Sequence, residues 1–368
     1  MSRAGIRLGI DLGGSKISGV ALDAAGVVVA HERMPSPRDD YQASLDAVAG
    51  MVDVLCRAAG ADPRTVRIGL GTPGSWLPEA GIMQNCNSTW LNGRPLLADL
   101  QRRFGASGSG RSRVRIANDA DCFALSEARD GAGADSRAAA VPAGASDVPL
   151  DAAGSAISPD PAGQRRRRGV FGVILGTGVG GGLVLDGALH GGPQGLAGEW
   201  GHTPLPYLRR PIFAANVRAP AHEARRIQLE SRLADRPCYC GRLNCVETFL
   251  SGPGLAQSHQ VLWGACRTPE ALARCDDDEA RTTLDLYAHM LARSLAQVIN
   301  VIDPDVIVLG GGLSNVEALY PRVSELLPAF VFGAAGGSSA PPLRTLLRRA
   351  RWGDDSGVRG AAWLWNVA

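Results

Sequence analysis

The sequence predicts an α/β protein of two lobes built on one duplicated plan, and three observations predict it. A short apolar run, Ile6 to Asp11, leads into Gly13-Gly14. The pattern returns at Val170 to Leu175, followed by Gly176-Thr177-Gly178 and Gly180-Gly181-Gly182. A third run, Val306 to Leu309, ends in Gly310-Gly311-Gly312. Each is a buried strand delivered into a glycine turn, with one such hairpin at the head of each half. The 368 residues, 45% hydrophobic and 20% charged, suffice for two cores with a cleft between them.

Residues 1–130 are read as the first lobe. Ile6 to Asp11 and Val27 to Ala30 form its opening hairpin, with the glycines at the tip. Tyr41 to Ala59 has apolar residues at helical spacing and closes near Gly60, and Val66 to Gly71 is a buried strand. Val114 to Ala117 is a strand followed by a helix through Ala120 to Ala128. Residues 131–168 contain no aromatic residue and end in four arginines. A stretch so far beyond the roughly 12–15 residues of a long loop is expected to be a poorly ordered insertion. Residues 169–352 are the second lobe, with strands at Val170 to Leu175, Leu183 to Leu185 and Val306 to Leu309 and a long helix at Leu284 to Ile302. Residues 353–368 hold a helix, Gly360 to Trp365, expected to pack back on the first lobe.

A formal net charge of +2 argues against a nucleic-acid or membrane-surface partner. With neither a charged, apolar leader nor an apolar run of about 18 residues, the chain is expected to be cytoplasmic. Eight cysteines are too few and too uneven for a secreted disulfide scaffold. Lys16 is the only lysine and lies inside the first glycine turn.

Four constellations carry chemistry. In Asp11-Leu12-Gly13-Gly14-Ser15-Lys16, bare backbone N–H groups can approach phosphate oxygens, and the strand-end carboxylate can hold hydrated Mg²⁺; an ordinary hairpin turn reads the same way. Asn118-Asp119 follows a strand, where a carboxylate can project into a cleft as a general base or cap the next helix. Glu199 and His202 stand three residues apart, suited to neighbouring hydroxyls. Cys238, Cys240 and Cys245 can complete a closed tetrahedral zinc site with His202, a structural arrangement because no position remains for water.

Taken together, Asp11 to Lys16, Asn85 to Gly93, Asn118 to Cys122, Leu175 to Gly182, Ala197 to His202, Cys238 to Gly252 and Asp303 to Asn315 resemble a ROK-type sugar kinase, of the superfamily that includes actin. The resemblance covers nearly the whole chain and implies an actin-like (ribonuclease H-like) two-lobe ATPase fold. It implies ATP held by Asp11, Gly13, Gly14, Ser15, Lys16, Gly176, Thr177, Gly178, Gly180, Gly181, Gly310 and Gly311, with Mg²⁺ near Asp11. It implies Asp119 as the base on a hexose 6-hydroxyl, and a sugar ring gripped by Asn118, Asp119, Glu199, His202 and Glu247. It implies structural zinc on His202, Cys238, Cys240 and Cys245, and a homodimer. Within the family, Pro37 to Tyr41, Phe330 to Gly333 and Ser356 to Trp363 resemble bacterial fructokinases with mannokinase activity, so D-fructose is the expected substrate; glucose or N-acetylglucosamine is the alternative. The family's sugar-responsive repressors carry a helix-turn-helix domain ahead of the first glycine turn; only ten residues precede Asp11 here, so DNA binding is not expected. Asp121 stands where the pattern has asparagine, and is expected to turn away from the cleft.

Overall fold

The computed structural model describes residues 5–105, 112–134, 168–214, 222–334 and 342–365. The first lobe runs β1 (Arg7–Leu12), β2 (Lys16–Leu22), β3 (Val28–Pro35), α1 (Tyr41–Ala59), β4 (Arg67–Thr72), β5 (Ser75–Leu77), β6 (Ile82–Gln84), α2 (Leu96–Phe104), β7 (Val114–Asn118) and α3 (Asp119–Arg129). The second runs β8 (Gly169–Leu175), β9 (Val179–Leu185), β10 (Ala188–Leu189), α4 (His222–Ser231), α5 (Glu247–Leu250), α6 (Gly252–Trp263), α7 (Pro269–Arg274), α8 (Asp278–Ile302), β11 (Val306–Gly310), α9 (Leu319–Leu326) and β12 (Leu346–Arg349). A last helix, α10 (Ser356–Trp363), follows.

The duplication is literal in the strand orders, β3-β2-β1-β4-β7 in one sheet and β10-β9-β8-β11-β12 in the other. In both, an antiparallel hairpin supplies the inner strand, which then pairs in parallel with the next. Each glycine turn therefore sits at the carboxyl end of parallel strands, where open α/β sheets bind ligands.

Two strand expectations need correction. The return of the first hairpin is β2, which starts at Lys16, and residues from Val28 form the next strand out. Gly19 hides β2 from a pattern reading; a Cβ there would meet Met51 Sδ at 2.6 Å, so the glycine lets α1 lie against the sheet. Likewise β9 begins at Val179, so Gly180, Gly181 and Gly182 are strand residues. A Cβ on Gly182 would lie 2.7 Å from the Ala120 carbonyl oxygen, so Gly180 and Gly182 let the first turn of α3 rest on β9, while Gly181 makes room for Trp200 on the other face. Helix α1 conforms: Asp40 caps it by accepting from Ala43 N, and Gly60 ends it at φ 65°.

Helix α10 lies on α3, β1 and β4 of the first lobe. A Cβ on Gly9, Gly69 or Gly360 would collide with a facing carbonyl oxygen, of Val358, Ala361 and Cys122 respectively. Buried Glu127 of α3 accepts from Ser356 Oγ at 2.8 Å and Arg351 N at 3.0 Å, tying the end of the chain to the helix that carries Asp119. In the second lobe, Arg226 of α4 bonds both Glu223 and Glu230, and Arg293 of α8 bonds Glu230, a buried network that satisfies every charge it encloses. The expected insertion lies outside the described residues except for its ends. Among the described residues no helix is long and apolar enough to cross a membrane.

Candidate active site

A cavity of about 700 Å³ opens between the lobes and is lined by Asn118 and Asp119 from one side and by Gly176 to Gly181, Glu199, His202, Tyr239 and Glu247 from the other. Asp119 arrives there because β7 ends at Asn118 and α3 begins at once. The Asn118 carboxamide caps that helix, accepting from Ala120 N at 2.8 Å, and donates to the Gly74 carbonyl at 3.3 Å. Asp119 Oδ1 also accepts from Ala120 N, at 2.7 Å, which fixes its carboxylate at the cavity wall. Capping and projection into the cleft thus coexist.

Burial, followed by the charge of Asp11, raises the pKa of Asp119 to about 6, against the pull of the Ala120 N–H. Burial raises Asp11 to about 6 as well, with Lys16 opposing it. A carboxyl group raised toward neutrality at the cavity wall, as Asp119 is, suits general-base chemistry. Asp121 does not line the cavity, but its Oδ1 is buried without a partner. Burial, then the charges of Glu199 and Asp119, push it up to about 7.

On the opposite wall, Glu247 Oε2 accepts from Val179 N at 3.1 Å, and a Cβ on Gly178 would crowd it at 2.8 Å. The carboxylate thereby braces the second glycine turn. Glu199 precedes and His202 ends a short 3₁₀ turn, Trp200–His202, whose Trp200 indole donates to the Gly180 carbonyl at 2.9 Å. Burial raises the Glu199 carboxyl above its ordinary value and His202 draws it back.

The loop motif from Asn85 to Gly93 closes the cavity from the first lobe. Asn85, held at φ 55°, and Asn87 line it, while Asn92 braces the loop by accepting from Cys86 N at 2.8 Å.

His202, Cys238, Cys240 and Cys245 come together with all four ligand atoms within 4.8 Å of one another. His202 Nδ1 lies 3.4 Å from Cys238 Sγ, and Cys240 Sγ 3.6 Å from Cys245 Sγ. Ligands tetrahedral about zinc at roughly 2.0–2.3 Å stand about 3.5–3.8 Å apart, so the four residues fit the ion. The N–H of Arg242 donates to the Cys240 sulfur and lowers that thiol to about 6, favouring the thiolate a metal needs. The other ring nitrogen, His202 Nε2, bonds Tyr239 OH at 2.8 Å. Sequence reasoning passed over Tyr239, although it lies between two cysteines at the cavity wall.

A second cavity, about 690 Å³, lies between α6, α7 and the turn after β11. Gly312 and Leu313 line it, as do Gln257, Gln260, Arg267 and Thr268. Gly310 packs against the Phe123 ring, and Gly311, at φ 79°, sits against the Leu175 carbonyl. The structure thus brings Gly312 to the wall and uses Gly310 and Gly311 to shape the backbone behind it. Apart from Gly252 and Glu270, the lining residues from α6 and α7 and the loop between them carry no glycine or acidic pattern that the sequence would mark. Gly176 and Thr177 line both cavities. The first glycine turn, with Ser15 and Lys16 exposed, lines neither.

The ROK family model matches residues 7–141 and 147–368. The chain belongs to the ROK family. The N-acetyl-D-glucosamine kinase of Escherichia coli O6:H1 (strain CFT073) is 34% identical over 359 residues, spanning 97% of this chain and 98% of that protein. Its counterpart from Shigella flexneri serotype 5b is also 34% identical, over 362 residues. Among solved structures, the ROK hexokinase of Thermus thermophilus matches with a TM-score of 0.67 and 25% identity over 97% of each chain. A ROK glucokinase from Streptomyces griseus shares the fold at a TM-score of 0.64. The actin-like two-lobe ROK fold and the His/Cys₃ group stand as expected. The fructokinase affinity does not: the relatives named here are N-acetyl-D-glucosamine kinases. The segments that suggested fructose line neither cavity. Ser356 to Trp363 is the packing helix α10, and Phe332 is 95% exposed at the surface.

Proposed function

We infer that this ROK protein transfers the γ-phosphoryl group of ATP to the 6-hydroxyl of a hexose, with N-acetyl-D-glucosamine as the preferred acceptor. The single observation that carries the reading is the shared wall: Gly176 and Thr177 border both the carboxylate-lined cavity and the one beside α6 and α7. A nucleotide in the second cavity would run its phosphates over that turn toward Asp119. As the sugar oxygen attacks the γ-phosphorus, Asp119 takes the hydroxyl proton and ADP leaves with the electrons of the broken P–O bond. Asn118, Glu199, His202 and Glu247 would hold the ring hydroxyls. The half-buried Asp11 carboxylate at the end of β1 fits a hydrated Mg²⁺, which would supply charge neutralisation to the phosphates when bound. Zinc on the cysteine loop would hold Tyr239 and His202 in place at the sugar wall.

The acceptor assignment rests on the 34% identical kinases and on Leu196, an apolar side chain 44% exposed at the cavity wall, suited to an acetamide methyl group. A coupled ADP-release assay over N-acetylglucosamine, glucose, mannose and fructose tests it. The expected kcat/KM for N-acetylglucosamine exceeds that for fructose at least tenfold. A preference for fructose overturns the acceptor, and ATP turnover indifferent to every sugar overturns the kinase reading.

A further inference from the structure

Tyr239 is 73% exposed at the wall of the carboxylate-lined cavity, yet it is held at three points. Its backbone occupies the second position of a tight turn, in which Gly241 N donates to the Cys238 carbonyl at 2.9 Å and Cys238 N to the Arg242 carbonyl at 2.8 Å. Its ring stands edge-on to His202, with centroids 5.0 Å apart and planes at 89°. Its hydroxyl lies 2.8 Å from His202 Nε2, and among the described residues it meets no other partner. An exposed side chain fixed in this way adds little to a core, but a ligand that reaches it finds the ordering cost already met.

His202 decides which way the hydrogen bond runs. Its Nδ1 faces the cysteines, 3.4 Å from Cys238 Sγ, so that is the nitrogen that would ligate zinc. A ligating nitrogen carries no proton, which places the ring's proton on Nε2. Nε2–H then donates to the phenol oxygen, and the phenol keeps its own O–H to give away. Both nitrogens of His202 are thereby engaged, and the ring has no atom left for a sugar hydroxyl.

On the strength of the hexose-kinase reading, we propose that Tyr239 contacts the sugar directly: its O–H donates to an oxygen of the hexose, and His202 acts on the sugar through it. The neighbouring side chains make that donor useful. Glu199 and Glu247 line the same wall as carboxylates, which accept from sugar hydroxyls and leave sugar oxygens wanting a donor. The Thr203 hydroxyl is committed to the Trp200 carbonyl at 2.7 Å. Successive bonds from Nε2–H to the phenol and from the phenol to the sugar polarise one another, so the cysteine cluster sets both the position and the strength of the contact.

The test is Tyr239→Phe in the full-length, zinc-loaded protein, a change that keeps the ring edge on His202 and removes only the hydroxyl. The Kd of the preferred hexose by calorimetry should rise about tenfold and its KM with it. The kcat should stay within about threefold, because the contact is made equally before and during phosphoryl transfer. Zinc content and the affinity for a non-hydrolysable ATP analogue should match wild type. Sugar affinity that is unchanged or tighter overturns the proposal, since the phenol would then only cover a histidine that grips the sugar itself. Loss of zinc together with sugar affinity also overturns it, reducing Tyr239 to a prop for the cysteine loop. Imidazole NMR of the zinc-loaded wild type checks the relay without any sugar: a proton on His202 Nε2 that exchanges faster with solvent in Tyr239→Phe supports it, and a proton on Nδ1 overturns it. A wild-type protein that binds no hexose overturns the kinase reading instead.

Discussion

In the proposed reaction, proton removal turns on Asp119. Replacing it with asparagine keeps the bond from Ala120 N and the shape of the wall but removes the proton acceptor. Asp119→Asn should lower kcat by about 10²–10⁴-fold, with sugar affinity by calorimetry within a few fold of wild type. Near-normal turnover would sink the assignment. Because burial holds this carboxyl near 6, the wild-type kcat/KM should fall as pH drops through about 6, as the base becomes protonated. Asp11 is raised to about 6 by burial too, so the midpoint belongs to the pair. Asp121, two residues on, is a cost without a visible return. Its raised pKa means the folded state holds a proton that the unfolded chain has released above about 4, so stability is lost as pH rises toward about 7. Asp121→Asn should therefore stabilise the protein by roughly 1–3 kcal/mol at pH 8, with the gain vanishing near pH 4. Equal denaturant midpoints at both pH values would show that Oδ1 finds a partner in solution.

At the scale of elements, the cysteine loop and the second glycine turn would act, in the proposed kinase, as supports for the side chains at the sugar wall. Cys240→Ser should remove about one zinc per chain by elemental analysis and weaken sugar binding more than nucleotide binding, because Tyr239 belongs to that loop and His202 is bonded to it. Unchanged zinc content would refute the cluster. The spacing of Cys238, Cys240 and Cys245 was readable because metal ligation fixes residue type as well as interval. Helix α1 was readable for a similar reason, since Asp40 and Gly60 mark its ends with local chemistry. Strand β2 was not, because Gly19 serves a contact with Met51 that no local pattern encodes. Glycine was read as turn wherever it clustered, yet Gly180 to Gly182 lie in β9, where Gly180 and Gly182 admit α3 and Gly181 admits Trp200. A glycine required by tertiary approach looks, in one dimension, like a glycine required by a turn. The wall of the second cavity was invisible for a different reason: Gln257, Gln260, Arg267 and Thr268 are ordinary surface residue types, assembled only when α6 and α7 fold over the turn after β11.

The whole molecule couples two cavities through one turn. Gly176 and Thr177 belong to both, Glu247 from the carboxylate-lined cavity accepts from Val179 N, and Gly252 N at the start of α6, beside the second cavity, donates to the Gly176 carbonyl at 2.7 Å. An occupant of either cavity therefore orders backbone that the other occupant needs, and the second to bind meets part of its ordering cost already met. By linkage the effect is reciprocal. Calorimetry with a non-hydrolysable ATP analogue should give an affinity about fivefold or more tighter in saturating N-acetylglucosamine than in its absence, and the sugar should tighten by the same factor when the analogue is saturating. The Glu247→Gln variant should weaken this coupling more than it weakens the analogue's affinity alone, since the charged bond to Val179 N is what connects the sugar wall to the turn. Identical affinities in the presence and absence of the partner ligand would mean that the shared turn is rigid before either arrives, and that the two cavities are filled independently.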